Sequence, residues 1–351
     1  MPENDFKVGK IDNKAFSSFI LNRLGEKDDS IIVPPSSGVD AGVIDIGNNK
    51  VLIVAEDPIF MIPKLPLDIF GWCTVHIGAS DVAVMGVKPE YMTYSLLLPP
   101  GTPDDDLRVI VDSIHDAALE LGISIAGGHT GYYPGFTSPT IGGITVFSVA
   151  DRDGFVTPAG AVPGDDIILT KGPAIETAGI LSVLGEKELE KNYSSELIEK
   201  AKVLSRQMTV VADALIAMDS GGVTAMHDAT EGGVIGGLAE IADASGVGMT
   251  VDENLFVYPD EVRMVCEAFD IDPVKAIAEG SLLITADSSF SDRIISALSR
   301  KGIAASVIGS VIDDPGTRIL QRMDGSEIPL EVPDQDPFWP VFFEQVEKIS
   351  E

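Results

Sequence analysis

The amino-acid sequence predicts an α/β protein, in the broad sense that includes α+β arrangements, made of two domains. Apolar β-branched runs alternate along the chain with segments of helical periodicity. A length of 351 residues is more than one ordinary core organises. Hydrophobic content of 45% with 35 glycines and 22 prolines is typical of a globular chain and not of a disordered one. We place the boundary in the Gly-, Pro- and Asp-rich stretch 150–166, which gives domains 1–157 and 158–351.

Six apolar runs that end at or near glycine or aspartate predict the strands. They are 51–57, 123–128, 141–150, 166–172, 281–287 and 306–312.

Two long helices are predicted from apolar periodicity. The first spans 104–121, with Thr102 as its cap, Pro103 at its first position and Gly122 after its end. The second covers about 196–218. Four aromatic residues near the C-terminus predict a tail docked on the body: Phe338, Trp339, Phe342 and Phe343.

Charge and composition exclude several classes of partner. The net charge of −31 opposes binding to nucleic acid and to anionic membranes, because their phosphates would be repelled. The polar start "MPENDFKVGK" has no leader-like apolar segment, and no apolar run approaches the ~18 residues of a membrane span. Cys73 and Cys266 lie far apart among apolar residues, which predicts buried thiols. We therefore expect a soluble, cytoplasmic protein.

The stretch 224–249, "TAMHDATEGGVIGGLAEIADASGVGM", starts a helix on glycine doublets. Glycine inside a helix costs about 1 kcal/mol relative to alanine, so this pattern needs a reason. One reading is that a phosphate binds the first N–H groups, with Asp228 or Thr230 as the cap and Gly232 and Gly233 as donors. The other is tight packing of the helix. The stretch alone leaves both open.

Four aspartates end strands or short apolar segments: Asp40, Asp57, Asp81 and Asp228. Capping and turns explain many such residues when each is taken singly. Together they predict a magnesium site, because Mg²⁺ prefers carboxylate oxygens and substrate phosphates.

The segment 125–136, "IAGGHTGYYPGF", follows a predicted strand. We interpret Gly127, Gly128, His129 and Thr130 as a loop whose backbone N–H groups face phosphate. The alternative is a glycine-rich connection with a surface histidine.

These segments resemble, in order, motifs of the AIR (aminoimidazole ribonucleotide) synthase-related superfamily. That superfamily includes AIR synthase, thiamine-monophosphate kinase, selenophosphate synthetase and the hydrogenase maturation factor HypE. The matching pieces are "DAGVIDIGNNKVLIVAED", "HIGASDVAVMGVKPEYMTYSLLLPPG", "GISIAGGHTGYYPG", "PGDDIILTKGP", "HDATEGGVIGGLAEIA", "EGSLLITAD" and "GIAASVIGSVI". Each motif is loose, but their shared order over most of the chain is specific.

The resemblance implies a homodimer whose N-terminal domains pair into a β-barrel, with ATP and Mg²⁺ near the interface against a C-terminal α/β domain. Domain 1–157 would bind ATP and dimerise. The implied metal ligands are Asp40, Asp57, Asp81 and Asp228. The implied nucleotide contacts are Asp81, Gly127, Gly128, Thr130, Gly232 and Gly233, and the implied catalytic residues are Asp228 and His129.

The sequence resembles HypE most closely, with two departures. HypE acts on a carbamoyl group carried by a C-terminal cysteine, whereas the last cysteine here is Cys266. His129 replaces the carboxylate of the family's G-G-D/E-T motif. We therefore expect an ATP- and Mg-dependent enzyme that phosphorylates or activates a small, unidentified oxygen-bearing acceptor. The alternative is a nucleotide-binding paralogue without turnover, acting as a regulator or maturation partner.

Overall fold

The computed structural model describes residues 8–11 and 13–350. The polar residues 1–7, on which the expectation of no leader depends, lie outside this part. The first sheet runs in the order β1-β2-β3-β6-β4-β5, antiparallel except for the parallel pair β4–β5. Its strands are β1 (Ile31–Val33), β2 (Gly42–Gly47), β3 (Lys50–Phe60), β4 (Tyr91–Leu98), β5 (Ser124–Tyr132) and β6 (Thr140–Asp151).

Small residues let a buried helix lie against this sheet. The helices of the first half are α1 (Asn13–Ala15), α2 (Leu67–Ala83) and α3 (Asp104–Leu121), and a π-helical turn (Phe16–Ile20) follows α1. A Cβ atom added at Gly71 would lie 2.7 Å from the carbonyl oxygen of Ile110 in α3, and one at Gly78 would lie 2.8 Å from Ile144 in β6. Glycine therefore permits the close approach of α2 to both neighbours.

The second sheet runs in the order β13-β12-β9-β11-β7-β10-β8 and is antiparallel apart from the pair β12–β9. Its strands are β7 (Asp165–Thr170), β8 (Val223–Ala229), β9 (Gly248–Asp252), β10 (Ser281–Asp287), β11 (Ala305–Ile312), β12 (Arg318–Gln321) and β13 (Glu327–Pro329). The helices are α4 (Ile175–Leu184), α5 (Glu186–Leu189), α6 (Ser195–Val203), α7 (Val211–Ser220), α8 (Gly233–Ser245), α9 (Asp260–Ala268), α10 (Ser291–Ser299) and α11 (Phe338–Ser350). Short 3₁₀ turns lie at Pro158–Gly160, Leu204–Gln207 and Glu253–Leu255.

The mixed α/β character is confirmed, and each of the six predicted strands lies within or overlaps a strand of the structure. Helix 104–121 is confirmed with both its bounds, and Gly122 ends it in the left-handed conformation at φ 68°. Its predicted cap is wrong. Pro103 takes the cap position, and the Thr102 hydroxyl donates to the carbonyl of Pro99.

The single helix predicted over 196–218 is wrong. The structure has α6, a 3₁₀ turn, a break at 208–210, and then α7. At the break, the N–H of Val210 donates to Ser80 Oγ over 3.1 Å, and the Thr209 carbonyl accepts from Lys171 Nζ over 2.7 Å. These partners on other elements replace bonds within a helix, so tertiary contacts override the apolar periodicity.

The predictions for the tail and the thiols are confirmed. Phe338 is buried and Trp339 Nε1 donates to Glu231 Oε1 over 3.0 Å, so the tail contacts the body, although Phe343 is 47% exposed. Cys73 and Cys266 are both buried and free. Among the described residues, no helix combines the length and apolar character needed to span a membrane.

The two halves are joined through buried contacts. One apolar cluster contains side chains from the first sheet and α2 together with side chains from α4, α6 and α7. The N–H of Val156, just beyond β6, donates to the carbonyl of Met85 after α2. Ser80 Oγ, near the C-terminal end of α2, accepts from the N–H of Val210, which fixes this end of the helix next to the second half. The candidate site lies between the two halves.

Candidate nucleotide and metal site

Four carboxylates from different elements meet between the two sheets. Asp57 lies within β3, and Asp228 is the next-to-last residue of β8, at the edge of the second sheet. Asp40 precedes β2, and Asp81 lies inside α2, two residues before its last residue, Ala83. The carboxyl groups of Asp57 and Asp81 share a hydrogen bond, and Asp81 interacts electrostatically with the other three. Residues far apart in sequence therefore form one acidic cluster.

Burial and mutual repulsion perturb these carboxyl groups strongly. Burial first, then the charges of Asp57, Asp228 and Asp40, raise the pKa of Asp81 well above its ordinary range. Burial raises the pKa of Asp57 as well. Burial and the charge of Asp40 raise the pKa of Asp228 to about 7. Several anions held together out of water call for a compensating cation.

The donor set fits a divalent cation. Asp228 is 1% exposed, and neither of its carboxylate oxygens has a hydrogen-bond partner among the described residues. Asp40, His227 and Asp228 each offer one potential ligand atom, and these three atoms lie within 4.8 Å of one another. Unpartnered buried oxygens are costly unless a ligand satisfies them, and hard carboxylate oxygens suit Mg²⁺.

His227 is a site residue that sequence reasoning missed. It is 2% exposed, and its Nδ1 lies 2.8 Å from Asp40 Oδ2 while its Nε2 lies 2.7 Å from Glu240 Oε2. Burial opposes the charged imidazole, but Asp40 and Glu240 outweigh it and raise the pKa of His227 well above its usual value. A ring that donates from both nitrogens has no lone pair for a metal, so the carboxylates are the candidate ligands.

Lys10 brings a second positive charge to the cluster. Its Nζ donates to Thr230 Oγ1 over 2.9 Å, and its backbone N–H donates to Glu231 Oε2 over 2.8 Å. Burial opposes its charge, but Glu240, Asp40 and other site carboxylates raise the pKa of Lys10 overall. Its position 220 residues before Thr230 gave no sequence signal for this contact.

The glycine doublet is packed tightly at the start of α8. The N–H of Gly232 donates to Asp336 Oδ2 over 2.8 Å, and that of Gly233 donates to the carbonyl of Thr230. A Cβ atom on Gly233 would lie 2.7 Å from the carbonyl oxygens of Val274 and Ala276.

Tight packing therefore accounts for Gly233 and Gly237, where an added Cβ would lie 2.7 Å and 2.8 Å from neighbouring atoms, but not for Gly236. The role of the doublet as a phosphate donor stays a prediction that requires Asp336 to move. Neither Asp228 nor Thr230 is the cap, which is Gly232 at φ 89°.

Two further buried carboxyl groups lie close to Asp228. The N–H of Glu279 donates to Glu176 Oε2 over 3.1 Å, and Glu279 Oε1 has no hydrogen-bond partner among the described residues. Burial raises the pKa of Glu176 to about 8. Burial and the charges of Asp228 and Glu176 raise that of Glu279 well above its usual range. Glu176 is the second residue of α4 and Glu279 lies in the turn before β10, and the sequence showed no motif at either position.

The glycine-rich segment that contains His129 lies away from the acidic cluster in the fold. Residues 124–132 form β5, an exposed edge strand rather than the predicted loop. Gly128 pairs with Tyr94, Tyr94 pairs with Ile144, and Ile144 pairs with Asp57 on successive strands of the sheet. Three strand spacings therefore separate Gly128 from Asp57, a distance of about 14 Å. His129 Nε2 lies 2.5 Å from the Tyr133 hydroxyl. Gly127, Gly128, His129 and Thr130 therefore do not join Asp228 within one chain.

Comparison with known proteins gives matches over both halves. Residues 38–157 match the N-terminal domain model of AIR synthase related proteins, and residues 162–321 match the C-terminal domain model. The chain is 30% identical over 277 residues to carbamoyl dehydratase HypE of Cupriavidus necator, covering 74% of this chain and 75% of that protein. It is 30% identical over 255 residues to selenide, water dikinase of Aeromonas salmonicida, covering 72% and 70% of the two chains.

Solved structures show the same fold. A crystal structure of the hydrogenase maturation protein HypE in complex with ATP superposes with a TM-score of 0.69 at 21% identity, covering 93% of both chains. The resemblance therefore extends over both sheets of the molecule.

Proposed function

Since the chain belongs to the AIR synthase-related protein family, we propose that it is an ATP-dependent enzyme that phosphorylates or activates a small oxygen-bearing acceptor, with Mg²⁺ as its metal. Two relatives carry the names of enzymes, a carbamoyl dehydratase and a selenide, water dikinase, and one related structure was solved with ATP. The observation that carries the proposal is Asp228, whose two buried oxygens have no hydrogen-bond partner among the described residues, while a carboxylate oxygen of Asp40 lies within 4.8 Å of one of them.

The four clustered aspartates would hold the metal. When bound, Mg²⁺ would neutralise charge on the phosphates of ATP. The chain's own contribution is position, because Asp57 and Asp81 are fixed on β3 and α2 while Asp228 is fixed on β8. Carboxylates held on rigid elements of both halves would fix the metal, and with it the position of the bound phosphates.

The two cations have different roles. His227 keeps Asp40 and Glu240 in fixed orientations through both ring nitrogens, so we assign it as a positioning residue. The Lys10 ammonium, held by the Thr230 hydroxyl, is a point charge that can turn toward a phosphate oxygen. In a protein of net charge −31, such local cations offset a field that repels ATP.

The homodimer with a shared barrel is part of this proposal. All nine residues of β5 form an edge strand, and eight of them are exposed. A second copy that pairs with this edge would satisfy its free backbone groups. It would also bring Gly127, Gly128, His129 and Thr130 to an interface, where the partner's strand could complete the nucleotide site.

A nucleotide-binding paralogue without turnover remains the alternative. It is favoured by His129, which holds a tyrosine hydroxyl where the family's motif has a carboxylate. Measuring ATP hydrolysis with Mg²⁺ and a panel of amide, carboxylate and phosphate acceptors separates the two. The enzyme reading expects acceptor-stimulated hydrolysis that Asp81→Asn removes. Tight ATP binding without hydrolysis under any condition would select the paralogue.

A further inference from the structure

A second group of chemically active side chains lies in a groove between α2, α3 and the 3₁₀ turn at Leu204–Gln207. The cavity has a volume of about 410 Å³. Its lining includes Trp72 from α2, Asp116 and Glu120 from α3, and Arg206 from the turn. His76, one helical turn after Trp72, lies at its inner edge with Nε2 directed at Glu120. This face of α2 is rotated by about 140° from Asp81, so the groove is separate from the acidic cluster.

His76 has one satisfied and one unsatisfied ring nitrogen. It is 2% exposed, its Nδ1 lies 3.0 Å from Thr209 Oγ1, and its ring stacks on Trp72 at 3.8 Å between centroids. The Nε2 atom is 3.5 Å from Glu120 Oε2 and has no hydrogen-bond partner among the described residues. Stacking and the Nδ1 contact thus fix a buried ring that aims a free nitrogen at a carboxylate.

The spacing of these two atoms matches a pair of metal ligands. Zinc lies about 2.0–2.2 Å from imidazole nitrogen and carboxylate oxygen in a tetrahedral site, which sets the two ligand atoms roughly 3.4 Å apart. The observed distance of 3.5 Å between His76 Nε2 and Glu120 Oε2 agrees with this ligand-to-ligand separation and is too long for a good hydrogen bond. Asp116, one helical turn before Glu120 on α3, lines the same cavity, and its side chain must rotate toward the ion to supply a third ligand.

We propose that His76 and Glu120, with Asp116, form a second metal site that takes a divalent transition ion of the zinc class. One nitrogen and two carboxylate ligands suit Zn²⁺ or Co²⁺ more than Mg²⁺, which prefers oxygen ligands. The fixed nitrogen supplies the geometry, Glu120 Oε2 is held beside it by Trp72 Nε1 at 3.3 Å, and the exposed Asp116 can rotate onto the ion. The fourth position would be open to solvent along the cavity.

Trp72 provides a direct test, because a paramagnetic ion bound to His76 would quench the indole stacked on it. The chain has two tryptophans, so a Trp339→Phe background leaves Trp72 as the sole indole. Co²⁺ would be titrated in excess Mg²⁺, which occupies the carboxylate cluster. We expect saturable one-site quenching, and His76→Gln should weaken it at least tenfold, the loss that removal of even a supporting group causes in metal sites.

Two further variants complete the experiment. His115→Gln alters an exposed histidine of the same helix as Glu120 and should leave the affinity unchanged. Glu120→Gln should weaken Co²⁺ at least severalfold, and this exposed position tests the proposal even if His76→Gln does not fold. Absence of saturable quenching in the parent, or unchanged affinity in either ligand variant, would overturn the proposal and leave His76–Glu120 as a long ion pair.

Discussion

His227 Nδ1 lies 2.8 Å from Oδ2 of Asp40, a residue 187 positions earlier in the chain. Asp40 precedes the second strand of the first sheet, and His227 lies on the edge strand of the second sheet. The contact therefore ties the two halves together at the acidic cluster. With Glu240 on the other nitrogen, it places one buried cation between two carboxylates.

Removal of this cation should destabilise the metal-free protein. His227→Gln removes the imidazole that lies between Asp40 and Glu240 and leaves Lys10 as the nearby cation. Loss of one member of a buried ion pair typically costs about 3–5 kcal/mol. Urea unfolding in EDTA measures the loss. His227→Gln/Glu240→Gln should recover part of it, because one of the two carboxylates is then neutral. Equal stability of the wild type and His227→Gln would show that the pair contributes nothing.

Asp81→Asn should have opposite effects on stability and on binding. In the metal-free protein the change replaces a carboxyl group whose ionised form is disfavoured by burial and by the charges of Asp57, Asp228 and Asp40 with a neutral amide, so the Tm should rise. With Mg²⁺ and ATP it removes a ligand, so affinity should fall by tenfold or more. Calorimetric titration and thermal melts check both effects. Asp153→Asn, an exposed aspartate beyond β6, is the control, and wild-type affinity in Asp81→Asn would make Asp81 a structural residue.

ATP with Mg²⁺ should raise the Tm, and EDTA should abolish the rise. Ligand at about 100 times its dissociation constant stabilises the folded state by about 2.7 kcal/mol, which is readily seen in a thermal melt. ATP alone should have little effect, because the protein's net charge of −31 repels it. A melt that no nucleotide shifts would contradict the nucleotide site.

Glu176 should make stability depend on pH in a defined direction. Its carboxyl has a pKa of about 8 in the folded protein and an ordinary value of 4.5, so the folded state holds the proton more tightly. Stability from this group is therefore complete below pH 4.5 and is lost as pH rises toward 8. Glu176→Gln stays neutral throughout. As the pH rises from 4.5 to 8, the free energy of unfolding of Glu176→Gln should increase relative to that of the wild type by on the order of a few kcal/mol, measured by urea unfolding in EDTA. A difference that does not change with pH would contradict the prediction.

Ile125→Lys should disrupt the proposed dimer without unfolding the monomer. Ile125 lies on the exposed edge strand β5 and is 42% exposed, so a lysine there meets water in the monomer but opposes edge pairing in a dimer. Light scattering should report a dimer for the wild type and a monomer for the variant. Leu119→Lys, at an exposed position of α3, controls for the added charge. A wild type that is monomeric at micromolar concentration would count against the shared barrel.

Local sequence signals predicted the elements well where local forces decide them. Helix α3 combines a proline start, an acidic first turn and a glycine end, and both its bounds follow from the sequence. The helix expected over 196–218 failed because partners 130 and 38 residues away, Ser80 and Lys171, take the backbone groups at its middle. Periodicity carries no information about such distant partners.

The candidate site was predictable only in part, for the same reason. Asp40, Asp57, Asp81 and Asp228 could be named because each ends an apolar segment, although Asp81 lies within a helix. Glu240 faces the core side of α8 and reads in sequence as an ordinary helical acid. His227 and Lys10 become site residues through contacts spanning 187 and 220 positions, and no spacing rule connects them to their partners.

The packing of Gly233 limits what mutagenesis can report about the start of α8. With φ at 65° and backbone oxygens 2.7 Å from any added Cβ, alanine cannot be accommodated there without displacing residues 274–276. An alanine scan would score Gly233 as essential whether or not a nucleotide ever approaches it. Loss of activity in Gly233→Ala would therefore report the steric clash of the added methyl group and not the loss of a nucleotide contact. Informative probes of the helix start must alter Asp336, whose carboxylate accepts from Gly232 and can be changed without touching the glycine backbone.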